Sequence, residues 1–106
     1  MLAREHRLRS SDEIREVVRS GKRVSNSIAT IHFLPSDSNR FAVVTSKTLG
    51  NAVKRNLVKR RCRAVLYETQ SGTPGIRAVV RLRPPASEAS WEIFSVAMRE
   101  LLARAR

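Results

Sequence analysis

The sequence predicts a single mixed domain, an α/β (α+β) sandwich in which a small central sheet carries helices. Three segments repeat apolar residues at helical spacing, and three others alternate apolar and polar residues between turn residues. The 106 residues, 42% of them hydrophobic, suffice for one core spanning 1–106. The expected element order is αββαβα, with three strands or slightly more. No repeat or linker divides the chain.

The first helix is expected over residues 11–20. The preceding segment, residues 1–9, is basic and aperiodic, which predicts an extended conformation. Ser10 and its neighbours offer an N-cap, and apolar residues from Ile14 onward recur at helical spacing. Gly21 is expected to end this helix as the residue after its C-cap.

Strands are predicted over residues 24–34, 41–46 and 76–83, which are rich in β-branched and aromatic residues. Residues 35–39 contain Pro, Asp and Asn and predict a turn. The simplest arrangement is therefore a hairpin between the first two strands. The pair of prolines at 84–85 is expected to stop the third strand.

Two further helices are predicted. Asn51 can cap a long helix over residues 51–68, and residues 71–75 read as a loop. The last helix is expected to begin near residue 87 or 90 and to end near residue 104. Its predicted buried stripe consists of Phe94, Ala97, Met98, Leu101 and Leu102.

The charge balance points to a polyanionic partner. The net charge is +12 and the pI is about 11.6, which favours nucleic acid first and an anionic membrane surface second. No run of 18 apolar residues and no signal-peptide pattern is present, so a cytoplasmic protein is expected. The lone Cys62 excludes an internal disulfide and is expected to be a buried, inert thiol.

The long helix carries the strongest functional signal. Residues 54–63 include six Lys or Arg, and no Asp or Glu occurs anywhere from 38 to 67. Like charges four residues apart destabilise a helix, so this arrangement indicates a binding face. Its candidate contacts stack at positions i, i+4 and i+8 or lie beside that row, and the Asn amide can bond a base edge or a 2′-hydroxyl. They are Arg55, Asn56, Lys59, Arg60 and Arg63.

Over nearly its whole length the chain resembles the protein subunit of bacterial ribonuclease P. The specific part is the run SKTLGNAV at 46–53 followed by RNLVKR at 55–60, with Arg63 one turn further on. The basic segment at 6–9 and the Arg-Pro at 83–84 also match that family's pattern. One departure is Leu57, where the family usually has Arg.

The resemblance implies a fold and two sites. The strand–helix–strand crossover around the basic helix would be left-handed, against the usual rule. The basic helix would contact the catalytic RNA, and a cleft between the first helix and the sheet would hold the single-stranded 5′ leader of precursor tRNA. Aromatic residues that relatives carry near this cleft are replaced by aliphatic residues or by His. The candidate leader contacts are Ile14, Val18, His32 and Lys47.

No catalytic machinery is visible in the sequence. The two His, one Cys and scattered acids show no metal-ligand spacing, and no phosphate loop or nucleophile–base pair occurs. The expectation is a protein that assists an RNA enzyme and binds no cofactor itself, with Mg²⁺ on the RNA subunit. The expected partners are that catalytic RNA and precursor tRNA, with no membrane and no obligate protein partner.

Three other functions fit part of the pattern. A small basic ribosomal or other structured-RNA-binding protein without a nuclease role fits the charge and size but not the SKTLGNAV run. A DNA-binding regulator would place the basic helix in a major groove and usually supplies a dimer surface. A metal-dependent nuclease would need a carboxylate cluster, whereas the acids here lie mostly in the terminal helices.

Overall fold

The computed structural model describes residues 6–69 and 75–105. Its helices are α1 (Ser11–Ser20), α2 (Ala52–Thr69), α3 (Pro85–Glu88) and α4 (Trp91–Ala105), and its strands are β1 (Lys22–Ser25), β2 (Ala29–Pro35), β3 (Arg40–Val44) and β4 (Ile76–Leu82). A 3₁₀ turn, Lys47–Leu49, precedes α2. The predicted long helix, the strand before the prolines and the last helix are confirmed within two residues, except that the short α3 precedes α4.

The four strands form one sheet in the order β1-β2-β4-β3. The pairs β1–β2 and β2–β4 are antiparallel, whereas β3 and β4 are parallel neighbours. Parallel neighbours need a crossover, and α2 supplies it. The expected mixed α/β sandwich with a small sheet is therefore confirmed.

The predicted hairpin between the first two strands is wrong. The segment 24–34 is two strands, because the Asn26 side-chain oxygen accepts from the amides of Ile28 and Ala29 and closes a turn.

The strand β4 lies between β2 and β3, so these two strands do not pair with each other. Its apolar residues are buried on both faces, as is typical of a central strand, and the buried Asn39 accepts from the Ile76 amide at 3.1 Å. That bond holds the β2–β3 connection across the start of β4.

Helices cover the two faces of the sheet unequally. On one face, α2 and α4 pack on the main core, and the predicted stripe of α4 is buried there, with Ala97 only partly so. On the other face, the shorter α1 buries Val17 against Ala42 and Val79. Leu8 joins this second cluster, and its amide donates to the Phe41 carbonyl at 2.7 Å. Part of that face is left open beside α1.

Gly21 ends α1 as expected, but not by adopting a left-handed conformation. Its φ is −77° and its ψ is 164°, which any residue can adopt. A Cβ at this position would lie 2.4 Å from the Val17 carbonyl oxygen and 2.7 Å from that of Phe33. Close approach of α1 to the sheet therefore requires glycine here.

The lone thiol is buried, as the sequence predicts. Cys62 is fully buried between α2 and the sheet, and this burial raises the pKa of its thiol to about 12. The thiolate is therefore scarce at neutral pH, which makes the residue unreactive. No helix of the described residues has both the length and the apolar character needed to cross a membrane.

Replacement of Cys62 by Ser is expected to lower the free energy of unfolding by about 1–3 kcal/mol, because a hydroxyl is buried without an assured partner. Denaturant unfolding measures this loss, with Ala64→Ser, at an exposed position of the same helix, as the control for helix propensity. Rapid labelling of native Cys62 by a thiol reagent would contradict its burial.

Candidate RNA interface

The start of α2 fixes which way the helix faces. Gly50 has a φ of +116°, a conformation that favours glycine, and it turns the chain out of the 3₁₀ turn. The Asn51 side-chain oxygen then accepts from the Lys54 amide at 3.0 Å and caps the helix. The predicted cap is therefore confirmed.

One side of α2 packs against the core. Val58, Cys62, Val65 and Leu66 are completely buried there. Apolar packing on this side sets the rotation of the helix about its axis. The polar residues between these positions are consequently turned away from the sheet.

Two of the six cations in residues 54–63 are used within the protein. The Lys54 ammonium lies 3.5 Å from a Glu88 carboxylate oxygen, and the Arg61 guanidinium donates to the Ala89 carbonyl at 2.9 Å. Both contacts join α2 to α3 and to the residue directly after it, and Lys54 lines a groove of about 700 Å³ at this junction. These two side chains therefore serve tertiary packing.

The other four cations have no acidic partner among the described residues. They are Arg55, Lys59, Arg60 and Arg63. The last three, with Asn56 and Ala64, line a groove of about 350 Å³ along the outer side of α2. The structure thus brings together four of the five residues that the sequence singled out. The fifth, Arg55, lies one turn before Lys59 on the same helix. We call this groove, together with Arg55, the α2 groove.

A second cleft lies where α1 crosses the other face of the sheet. The Glu13 carboxylate accepts from both terminal nitrogens of Arg40, at 3.1 and 3.4 Å, and Glu16 pairs with Arg77 at 2.9 Å. These half-buried pairs pin α1 over the starts of β3 and β4. Because these pairs neutralise two acids of α1, the charged residues that line the cleft are all arginines.

The cleft has an apolar floor and a basic rim. Its volume is about 460 Å³, and we call it the α1 groove. The predicted contacts Ile14 and Val18 both line it, although they also pack against the smaller apolar cluster. The other lining residues are Arg15, Arg19, Val44, Val79 and Arg81.

His32 lies beside the α1 groove rather than in it. It is 7% exposed and lines an adjoining pocket of about 310 Å³, the His32 pocket. Burial is the main cause that lowers the pKa of His32, and the positive charges of Arg81 and Arg23 add to the effect. Lys47, the fourth predicted contact, is exposed on the 3₁₀ turn and lines neither cavity.

Sequence reasoning missed the arginines that surround these cavities. Arg81 lines both of them, while Arg19 lines the α1 groove and Arg23 the His32 pocket. The signal was present in β4, since Arg77, Val79 and Arg81 alternate onto the face that carries α1. The face could not be assigned without the strand order.

The described residues contain no group of three His, Cys, Asp or Glu side chains that could hold a metal ion. The arrangement instead offers unneutralised guanidinium and ammonium groups beside shallow grooves. Such groups bind phosphates, and the apolar floor of the α1 groove suits unpaired bases.

The known proteins that this chain is similar to share one family description. A family model described as Ribonuclease P matches residues 2–106. The ribonuclease P protein component of Clavibacter michiganensis is 38% identical over 109 residues, covering 99% of this chain and 96% of the relative. That of Kocuria rhizophila is 39% identical over 108 residues, covering 99% and 96%.

Solved structures show the same fold. The RNase P protein of Staphylococcus aureus superposes with a TM-score of 0.87 at 23% identity, covering 95% of each chain. The RNase P protein of Thermotoga maritima gives a TM-score of 0.83 at 25% identity, covering 94% of this chain and 97% of the other. The resemblance noted in the sequence is confirmed, and the chain belongs to the ribonuclease P protein family.

Proposed function

We propose that this chain is the protein subunit of a ribonuclease P ribonucleoprotein in the cytoplasm. It binds the catalytic RNA through the α2 groove and the 5′ leader of precursor tRNA through the α1 groove. The RNA and its Mg²⁺ ions then remove the leader and create the mature 5′ end. The observation that carries the proposal is the set of four cations on α2 that no described acid neutralises.

The α2 groove has the chemistry of a structured-RNA contact. Arginine forks pair with phosphate oxygens in two parallel hydrogen bonds, and Lys59 adds a point charge. Asn56 lies among these cations and can bond a 2′-hydroxyl or a base edge, which distinguishes RNA from a plain polyanion. Leu57 is partly buried and contributes no charge at the position where the family usually has Arg.

The α1 groove suits a single strand. Bases can lie on the apolar floor formed by Ile14, Val18 and Val79, while Arg19 and Arg81 on the rim meet the phosphates. A duplex has its bases stacked inside and could not use such a floor. The aliphatic floor replaces aromatic stacking, so each base is expected to contribute toward the lower end of about 1–3 kcal/mol.

The two grooves account for how the protein assists an RNA enzyme. Two RNAs that must approach each other repel, and a protein with a net charge of +12 reduces that repulsion. The α1 groove adds contacts that only the leader-bearing substrate can make. The protein thereby favours binding of precursor over mature tRNA.

Replacement of Arg60 by Ala is expected to weaken binding of the catalytic RNA and to reduce the salt slope by about 1, the effect of one lost phosphate contact. The measurement is the dissociation constant as a function of salt concentration. Lys54→Ala is the matched control, because Lys54 is on the same helix but is paired with Glu88. An unchanged slope for Arg60→Ala would remove it from the interface.

The proposed function is tested by incubating precursor tRNA with the catalytic RNA alone, the protein alone and both together. The proposal predicts no cleavage by the protein alone and faster leader removal, at the same phosphodiester, with both. Cleavage by the protein alone would contradict the division of roles. No effect of the protein, together with equal binding of unrelated structured RNAs, would favour the ribosomal alternative.

A further inference from the structure

A histidine and two arginines share the open part of the sheet face beside α1. Arg23 lies directly opposite His32 in the β1–β2 ladder, and Arg81 lies opposite Thr30 in the β2–β4 ladder. Opposite residues of a ladder point to the same face, as do residues two apart on one strand. The strand register therefore groups all four side chains on one surface.

These side chains line the His32 pocket together with Arg83 and Thr48. Arg83 donates to the Asn26 carbonyl at 2.8 Å, so part of its hydrogen-bonding capacity is used within the protein. The side chains of Arg23 and Arg81 make no hydrogen bond or ion pair with any described residue. Two exposed guanidinium forks beside a half-enclosed polar pocket fit a phosphate group, which can accept from both.

The charged residues around His32 are all positive. β1 contributes Arg23, and the end of β4 contributes Arg81, with Arg83 directly after it, while the 3₁₀ turn contributes only Thr48. Across Arg81, α1 presents Arg15 and Arg19 to the adjoining groove. No acid lines the pocket, so every nearby charge opposes a positive imidazole.

A phosphate bound in the pocket would change the charge of His32. Burial and the two arginines hold the pKa of His32 below its ordinary value, so the ring is neutral near pH 7. A phosphate in the pocket neutralises the arginines and accepts a hydrogen bond from the imidazolium. Both effects raise the pKa of the ring.

We propose that the His32 pocket binds a phosphate of the precursor leader with uptake of one proton by His32. This inference rests on the proposed leader-binding function and makes the affinity of the same site for the leader depend on pH. Arg81 lines both cavities, so a strand with bases on the floor of the α1 groove has its backbone at the His32 pocket. The neutral imidazole limits phosphate binding at high pH, and the protonated ring strengthens it at low pH.

The sign of the effect follows from linkage. The leader-bound complex holds more protons than the free protein between the two pKa values of His32. Affinity for leader-bearing RNA therefore rises as pH falls through that window, by up to about tenfold per pH unit for one proton. Mature tRNA lacks the leader, so the ratio of the two dissociation constants isolates this effect from other titrations.

The experiment measures this ratio for the reconstituted protein–RNA complex between about pH 5.5 and 8, using a non-cleavable precursor at fixed ionic strength. Preference for the precursor is expected to increase toward low pH. His32→Asn should flatten the profile, because it keeps a neutral polar side chain that cannot take up a proton. His6→Asn is the matched control and should keep the slope, because His6 is the only other histidine.

The outcomes separate this inference from the proposed function. Preference that is present but independent of pH, or a slope that survives in His32→Asn, overturns proton uptake while leader binding stands. Absence of preference at every pH overturns both. If His32→Asn fails to fold, NMR titration of the His32 ring decides, since a pKa that does not rise on binding the precursor refutes the proposal.

Inorganic phosphate added to the free protein is the second arm of the NMR titration. A rise in the pKa of His32 with phosphate alone shows that the pocket accepts any phosphate group. A larger rise with the precursor than with mature tRNA identifies the leader as the source. A rise with phosphate but none with the precursor overturns the assignment to the leader.

Discussion

Replacing Arg55, Lys59 and Arg63 together by Ala is expected to weaken binding of the catalytic RNA by at least about 100-fold at moderate salt. Each lost charge-assisted hydrogen bond to phosphate contributes about 1.5–3 kcal/mol in favourable geometry. The salt slope should fall by about 2–3, because about that many phosphates lose their partner. The fold should survive, because none of the three side chains is fully buried and like-charge repulsion along the helix is relieved.

A matched triple variant controls for net charge. Lys54, Arg99 and Arg104 are also exposed, but they contact Glu88, Glu68 and the Ser25 carbonyl within the protein. Replacing these three by Ala removes the same charge from the molecule as a whole. Equal loss of RNA affinity in the two triple variants would show that overall charge, and not the α2 groove, drives binding.

Introducing a carboxylate into the α1 groove, by Val18→Asp, is expected to reduce the preference for precursor over mature tRNA by about tenfold or more. The carboxylate removes apolar contact with bases, worth about 1–3 kcal/mol per base, and repels the leader phosphates. Affinity for mature tRNA and for the catalytic RNA should change little. The measurement is the ratio of the two dissociation constants in the reconstituted complex.

Val96→Asp is the control for this substitution. Val96 lies on α4, is 52% exposed and lines neither the α1 groove nor the α2 groove. It therefore introduces the same side chain on a helix surface away from both. Circular dichroism of both variants checks that the helices persist. An unchanged ratio for Val18→Asp would remove the α1 groove from leader binding.

The α2 groove could be predicted from sequence because its signals are local. The capping Asn51, the buried spacing of Val58 and Cys62 and the absence of acids from 38 to 67 all fall within a short stretch. Helical periodicity then assigns each side chain to a face without knowledge of the rest of the fold. For the same reason, Lys54 and Arg61 could not be recognised as packing residues, because their partners lie on α3 and just beyond it.

The α1 groove and the His32 pocket could be predicted only in part. The family resemblance predicts Ile14 and Val18, but the arginines on the rim come from β1, β4 and α1. Their proximity depends on β4 lying between β2 and β3, which the simple hairpin rule did not predict. Long-range strand order is set by which strand buries both faces, and this becomes apparent only when all strands are compared.

The Mg²⁺ requirement of precursor cleavage by the catalytic RNA tests whether the protein acts by screening the two RNAs. We expect the protein to lower the Mg²⁺ concentration needed for half-maximal cleavage, because its cations replace part of the screening. The triple variant of Arg55, Lys59 and Arg63 should lose most of this effect, and the matched triple variant should keep it. An identical Mg²⁺ requirement with and without the protein would show that its cations do not assist the catalytic RNA in this way.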